Sequence, residues 1–206
     1  MSRKFYFDNQ YGTDIYALCE DGLLTEYTYE QSDNGAVIGN VYKGRVTDVL
    51  SGMQAAFVDC GLEKHCYLSA SDTEGDFTGE ALKNLKVGDE ILVQVTRVPS
   101  GKKGAKVTKN ISFVGKYLVY LPYSSFVGVS AKIDDDELRR NLIFNAKSHL
   151  NNGEGMIVRT AAPYAVLQDK LTEIEYFRKL IKNIETRFEY APVGELLYSD
   201  SPLHMR

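Results

Sequence analysis

Alternating apolar and polar residues open the chain, in three short runs, "KFYFD", "DIYALCE" and "LLTEYTYE", separated by the turn-forming "NQYGT" and "EDG". Each run predicts a strand, because successive side chains of a strand face opposite sides. Three such strands form a meander too small to stand alone, so it needs a partner surface from elsewhere. From Val37 to Ser112 the pattern becomes five strand-like runs: "VIGNVYKGRVTDVL", "MQAAFVDC", "KHCYLSA", "DEILVQVTRV" and "GAKVTKNIS". Their close spacing and Gly-containing turns predict a small closed Greek-key barrel. The acidic connection "SDTEGDFTGEALKNLKVG" between the third and fourth runs predicts a loop or short helix on the barrel's rim.

Beyond Gly115 the extended run "KYLVYLP" is followed by a helical period. Asp134 with Glu137 three residues later has the form of a capping box; Leu138, Leu142, Ala146 and Leu150 follow at i+4 spacing, and Asn152-Gly153 supplies a stop. "GMIVRTA" predicts a short buried strand. A second helix over Leu167–Phe188 places Leu171, Ile174, Phe177, Ile181, Ile184 and Phe188 on one stripe. "ELLYSD" reads as a last strand, and "SPLHMR" as a cut rather than a natural terminus. The fold class expected is α+β and multi-module. A five-stranded OB-type β-barrel follows a short β-meander and precedes a mixed α/β module, with divisions at 1–36, 37–112, 113–190 and 191–206.

Composition narrows the partners. The hydrophobic fraction of 44% and charged fraction of 25% in 206 residues are those of an ordinary globular protein. A formal net charge of -4 excludes a surface that coats nucleic acid everywhere, so any RNA site is local. Cys19, Cys60 and Cys66 have no CxxC spacing, which indicates neither a disulfide framework nor a zinc site and fits a reducing cytoplasm. No run is long enough to span a membrane, and "MSRKFYFDNQ" lacks a signal peptide's apolar stretch.

Strand alternation then sorts the barrel residues. Ala56, Val58 and Cys60 share one face, as do Cys66 and Leu68, which leaves Phe57 and Tyr67 displayed on the other face of adjacent strands. Lys43 and Arg45 share a face of the first barrel strand, and the last loop carries Lys102, Lys103, Lys106 and Lys109. Aromatics ringed by cations suit single-stranded nucleic acid, the bases stacking and the cations following the phosphates. The alternative is an inverted barrel in which Phe57 and Tyr67 are core and the lysines are solvated. In "VRTA", Arg159 and Thr160 on a strand read as buried need a partner; a phosphate would suit a guanidinium and a hydroxyl, and an acidic side chain would serve equally.

The stretch "GNVYKGRVTDVLSGMQAAFVDCGLEKHCYLS" resembles the opening of the ribosomal S-one type RNA-binding barrel as found in the ribonuclease E/G family. The resemblance implies that Phe57, Tyr67 and Lys103 contact RNA, with Lys43, Arg45 and Lys106 beside them; Tyr67 stands where Phe is more usual, and His65 flanks the site. The order of barrel, "G-x-YLV-x-LP", helix and "GMIVRTA" is similar to that family's 5′-sensor region. Arg159 and Thr160 would there bind a 5′-monophosphate, beside main chain at Gly115 and Val119. In "VSAKID" only Lys132 is basic, with Ala131 before it, where the family often has two basic residues.

The resemblance runs through the whole chain and makes the meander the first part of a ribonuclease H-like subdomain, to which the last segment returns. It implies an RNA-binding part of a single-strand-specific endoribonuclease of RNA processing and decay, cytoplasmic and homo-oligomeric when intact. Its paired aspartates would hold magnesium in a domain that no stretch here resembles; the family's zinc-sharing cysteines are also absent. Asp8, Asp14, Asp134, Asp135 and Asp136 lie in turns or at a helix start, where capping explains them. His65, His149 and His204 sit in unrelated contexts. The expectation is therefore a chain with no catalytic residue and no metal site of its own, which binds single-stranded RNA, preferably 5′-monophosphorylated, without cutting it. Competing readings are a complete, non-catalytic RNA-binding or adaptor protein and a barrel that meets only protein partners.

Overall fold

The computed structural model describes residues 2–10, 13–31, 38–72 and 84–199. The acidic rim connection over 73–83, the division at 36/37 and the terminal "SPLHMR" lie outside them.

Strands β1 (Arg3–Gln10), β2 (Thr13–Glu20) and β3 (Leu23–Gln31) form the expected antiparallel meander, in the order β1-β2-β3. Tyr16 is buried beneath Phe5 and Phe7, at ring-centroid distances of 6.2 and 5.4 Å, while Phe5 and Phe7 themselves stay exposed.

The barrel consists of β4 (Val41–Leu50), β5 (Ala55–Asp59), β6 (Cys66–Ser69), β7 (Glu90–Arg97) and β8 (Lys106–Thr108). Strand order β4-β5-β6-β8-β7, with β7 pairing back on β4, closes it; only β6 and β8 run parallel. Closure removes exposed sheet edges. Val46, Ala56, Val58, Cys66, Leu68, Val93, Val95 and Val107 fill the interior, all at least 99% buried. The narrow barrel leaves no room at Gly44, where a Cβ would overlap Val58. Cys60 and Cys66 are free and buried in this core.

A second sheet contains β9 (Phe113–Val114), β10 (Leu118–Leu121), β11 (Val127–Val129) and β12 (Gly155–Val158), in the order β11-β12-β10-β9, with β11 and β12 parallel. Helices α1 (Asp136–Lys147) and α2 (Leu167–Tyr190) accompany it. The α2 stripe is as expected: Ile174, Phe177, Ile181 and Ile184 are buried. Phe177 stacks on both Phe113 and Tyr120, at 5.8 and 6.0 Å. Beneath this stack Arg178 grips Glu154 at 2.6 Å, and the Asn151 amide donates to the same carboxylate at 2.8 Å.

The start and end of α1 differ from expectation. Asp135, not Asp134, is the cap, its carboxylate accepting from Glu137 and Leu138 N–H at 2.9 and 3.0 Å. The helix ends at Lys147 rather than at Asn152-Gly153, because the His149 and Leu150 amides already turn to the Ala146 and Lys147 carbonyls three residues back, and the Asn151 amide goes to Glu154. "GMIVRTA" is strand only through Val158; Arg159 and Thr160 follow it and are exposed.

Strand β13 (Leu196–Tyr198) pairs antiparallel with β4, so the end of the described chain returns to the barrel. The join is close at Gly61 and Gly194, both with positive φ (70° and 88°); a Cβ on Gly61 would lie 2.9 Å from the Gly194 Cα. Lys43 fastens the same region: its ammonium donates to the Phe188 carbonyl and to Glu90, each at 2.8 Å, and lies 4.8 Å from the Phe188 ring centroid.

Candidate nucleic-acid interface

Phe57 and Tyr67 face each other across β5 and β6 in direct register. Their neighbours Ala56, Val58, Cys66 and Leu68 point inward and are fully buried, so both rings stand on the outer face, half-buried, with centroids 6.2 Å apart and planes at 69°. The inverted barrel is thus ruled out by the burial pattern. The rings floor an open cleft of about 1130 Å³, whose walls include Met53, His65, Lys64, Arg97, Lys102, Lys103 and Lys106, with Asp48 as the one acid among the described lining residues.

The cations reach the cleft for separate reasons. Lys102 and Lys103 sit on a tight turn closed by paired Ser100 and Lys103 backbone bonds at 3.1 and 3.0 Å. Gly104 lets that turn lie against β6, since any Cβ there would overlap the His65 carbonyl. Lys64 is held to the turn through the Gly101 carbonyl at 2.8 Å. Lys106 pairs with Asp72 at 2.8 Å, whereas Arg97, Lys102 and Lys103 have no ion-pair partner among the described residues. Among the described residues, four cations besides the Asp72-paired Lys106 stand against Asp48 around two ring faces, which gives a local positive potential on a chain of net charge -4. That arrangement can stack unpaired bases and hold the phosphates between them.

A second polar cluster lies where β12 leaves the second sheet. The Arg159 guanidinium donates to the Gly115 carbonyl, and the Arg159 amide to the Tyr117 carbonyl at 2.9 Å. The Gly115 amide closes its own turn on the Leu118 carbonyl at 2.8 Å. Thr160 is exposed beside Arg159.

Two family profiles match the chain in tandem: "S1 RNA binding domain" over residues 37–109 and "Ribonuclease E/G family" over residues 112–206. Ribonuclease G of Haemophilus influenzae is 35% identical over 202 residues, and that of Escherichia coli strain K12 33% identical over 202. The chain belongs to the ribonuclease E/G family. It spans 92% of its own length but 41% of each of those relatives. Ribonuclease E of E. coli K12 is 28% identical over 200 residues, covering 92% of this chain and 19% of the relative.

In this member of the ribonuclease E/G family, then, Phe57, Tyr67, Lys103 and Lys106 meet in one cleft and Lys43 and Arg45 do not line it. Lys43 is 5% exposed and committed to Glu90 and Phe188. Arg45 holds the other oxygen of Glu90 at 2.8 Å. Lys43 first and Arg45 second hold the Glu90 carboxyl below its ordinary range. Arg159 and Gly115 are in contact, while Val119 lies inside β10 opposite Ile157 and Val114, two rungs from Arg159. His65 is a flank of the cleft, within 3.3 Å of the Thr47 hydroxyl.

Sequence reasoning did not reach Lys64 and Arg97. Strict alternation groups Arg97 with the inward Val93 and Val95; a register shift between Val95 and Arg97 turns it out to the cleft. No helix is long and apolar enough to cross a membrane among the described residues. Among the described residues no group of three or more His, Cys, Asp or Glu side chains converges.

Proposed function

We propose that this chain is the RNA-binding part of a single-strand-specific endoribonuclease of RNA processing and decay. The barrel over 37–112 grips the single strand, the module over 113–190 senses its 5′ end, and 1–36 with 191–206 belong to a ribonuclease H-like subdomain. Cleavage falls to magnesium-binding carboxylates outside these residues, in a homo-oligomer working in the cytoplasm. The carrying observation is the outward Phe57–Tyr67 pair inside a cleft walled by five cations.

Bases stack on the two rings, and Lys102, Lys103, Lys106, Lys64 and Arg97 follow the phosphates. A duplex keeps its bases stacked on one another and offers no free face, which is the source of the single-strand preference. Arg159 and Thr160 receive a 5′-monophosphate beside Gly115 and Val119, the guanidinium turning a bidentate edge to the phosphate oxygens.

Fluorescence anisotropy with single-stranded and duplex RNA tests this. The single strand binds more tightly, affinity falls as salt rises, and Phe57→Ala or Tyr67→Ala each weakens it about 5- to 150-fold, from a stack of about 1–3 kcal/mol. Salt-independent binding that survives both substitutions would show that the barrel's aromatics meet something other than RNA.

A further inference from the structure

Glu173 projects from α2 onto the loop between β9 and β10, where its carboxylate accepts from three consecutive backbone amides. Lys116 N–H donates at 2.6 Å, and Tyr117 and Leu118 N–H donate at 3.1 Å each. Successive amides converging on one anion form a nest that fixes the backbone around it. The same loop begins at Gly115, whose carbonyl takes the Arg159 guanidinium and whose amide closes the turn on Leu118. A side chain at Gly115 would collide with the Glu173 carboxylate. One continuous set of contacts therefore runs from Glu173 through the amides of 116–118 and the Gly115 carbonyl to Arg159.

We propose that Glu173 is the positioning residue of the 5′-phosphate sensor: its carboxylate fixes the 115–118 loop so that the Gly115 carbonyl holds Arg159 facing the RNA end. The proposal rests on the reading of Arg159 and Thr160 as the phosphate ligands. It also specifies which donors the phosphate uses. The amides of 116–118 are already occupied by a carboxylate, so these three are not the donors that meet the phosphate, which is left to the guanidinium and the Thr160 hydroxyl beside Val119.

The test is the ratio of affinities for 5′-monophosphorylated and 5′-hydroxyl forms of one single-stranded RNA, measured with the 206-residue chain. Wild type prefers the monophosphate, and Arg159→Ala removes the preference. Glu173→Ala brings the ratio close to one and leaves affinity for the 5′-hydroxyl RNA within about twofold of wild type. Glu173→Gln falls between, because it keeps one acceptor oxygen but sets an NH2 against an amide. Gly115→Ala, which pushes the carboxylate away, lowers the ratio like Glu173→Ala and adds nothing to it in the double variant.

An unchanged ratio in Glu173→Ala, with Arg159→Ala still abolishing it, overturns the positioning role alone. A raised ratio overturns it in favour of a carboxylate that the phosphate must displace. Equal loss for both RNAs in all three variants means that Glu173 is only structural and likewise overturns it. A wild-type chain without any preference overturns the sensor reading and this proposal together.

Discussion

Lys43→Met separates the two roles open to a cation on the barrel's first strand. By alternation Lys43 belongs with Arg45 on the outer face, yet only 5% of it is exposed, and its ammonium is shared between Glu90, the Phe188 carbonyl and the Phe188 ring. Methionine keeps the unbranched stem and removes the charge. The hydrogen bond from an ammonium to a carbonyl is worth about 1.5–3 kcal/mol, and the ring contact about 0.5–2 kcal/mol. Glu90 adds nothing to this count, since it is open to water and rehydrates when its partner goes. Against the loss stands the desolvation cost that the buried ammonium no longer carries. The net destabilisation is about 1–3 kcal/mol, which lowers Tm by roughly 2–12 °C in a chain of this size.

Thermal unfolding and RNA anisotropy on the same samples check it. Lys43→Met lowers Tm and leaves RNA affinity and its salt dependence as in wild type at temperatures where the variant is folded. Lys103→Met does the reverse: Tm is unchanged, affinity drops, and the slope of log K against log salt becomes shallower by about 0.7, one phosphate contact on a single strand. A Lys43→Met chain that unfolds like wild type but loses affinity and salt slope would refute the reasoning, because it would put the ammonium on RNA instead of on Phe188.

Acid sensitivity is expected from Glu154. Burial pulls its carboxyl upward, but Arg178, the Asn151 amide and the Tyr120 hydroxyl outweigh that and hold it at about 2, against an ordinary 4.5. A depressed carboxyl stabilises the fold above its unfolded value, so this contribution, about 3 kcal/mol, is present above pH 4.5 and disappears as pH falls towards 2. Urea midpoints measured across that window should fall less steeply in Glu154→Gln than in wild type, and parallel curves would contradict the assignment. At the barrel's join with β13, Gly61→Ala places a Cβ against Gly194 at a φ of 70°. A loss of about 1–2 kcal/mol in urea unfolding is expected from the left-handed backbone alone, and an unchanged midpoint would contradict both that backbone conformation and the contact with Gly194.

What the sequence disclosed, and what it hid, follows from how far each feature depends on regular local geometry. Phe57 and Tyr67 were legible because β5 and β6 pair without interruption, so that small or branched Ala56, Val58, Cys66 and Leu68 mark the inside and their neighbours the outside. The stripe on α2 was legible for the same reason, as twenty-four residues keep one period. Arg97 was hidden by the register shift beside it, where the ladder departs from period two. Lys43 was hidden by Phe188, 145 positions away, which covers a face that alternation alone calls open. Glu173 reads in sequence as one more acid beside the buried stripe of α2, and only the fold brings it against the 115–118 loop, 55 to 57 positions away. Arg159 is intermediate: "VRTA" reads as a charge on a buried strand, yet the strand ends at Val158 and Arg159 is exposed. Its exposure weakens the argument from burial and strengthens the one from ligand access, since a buried guanidinium satisfied by an acid could not turn to an RNA end. At the surface the Arg159 guanidinium is held by the Gly115 carbonyl, and a planar group with five N–H donors held at that point keeps donors for a further acceptor.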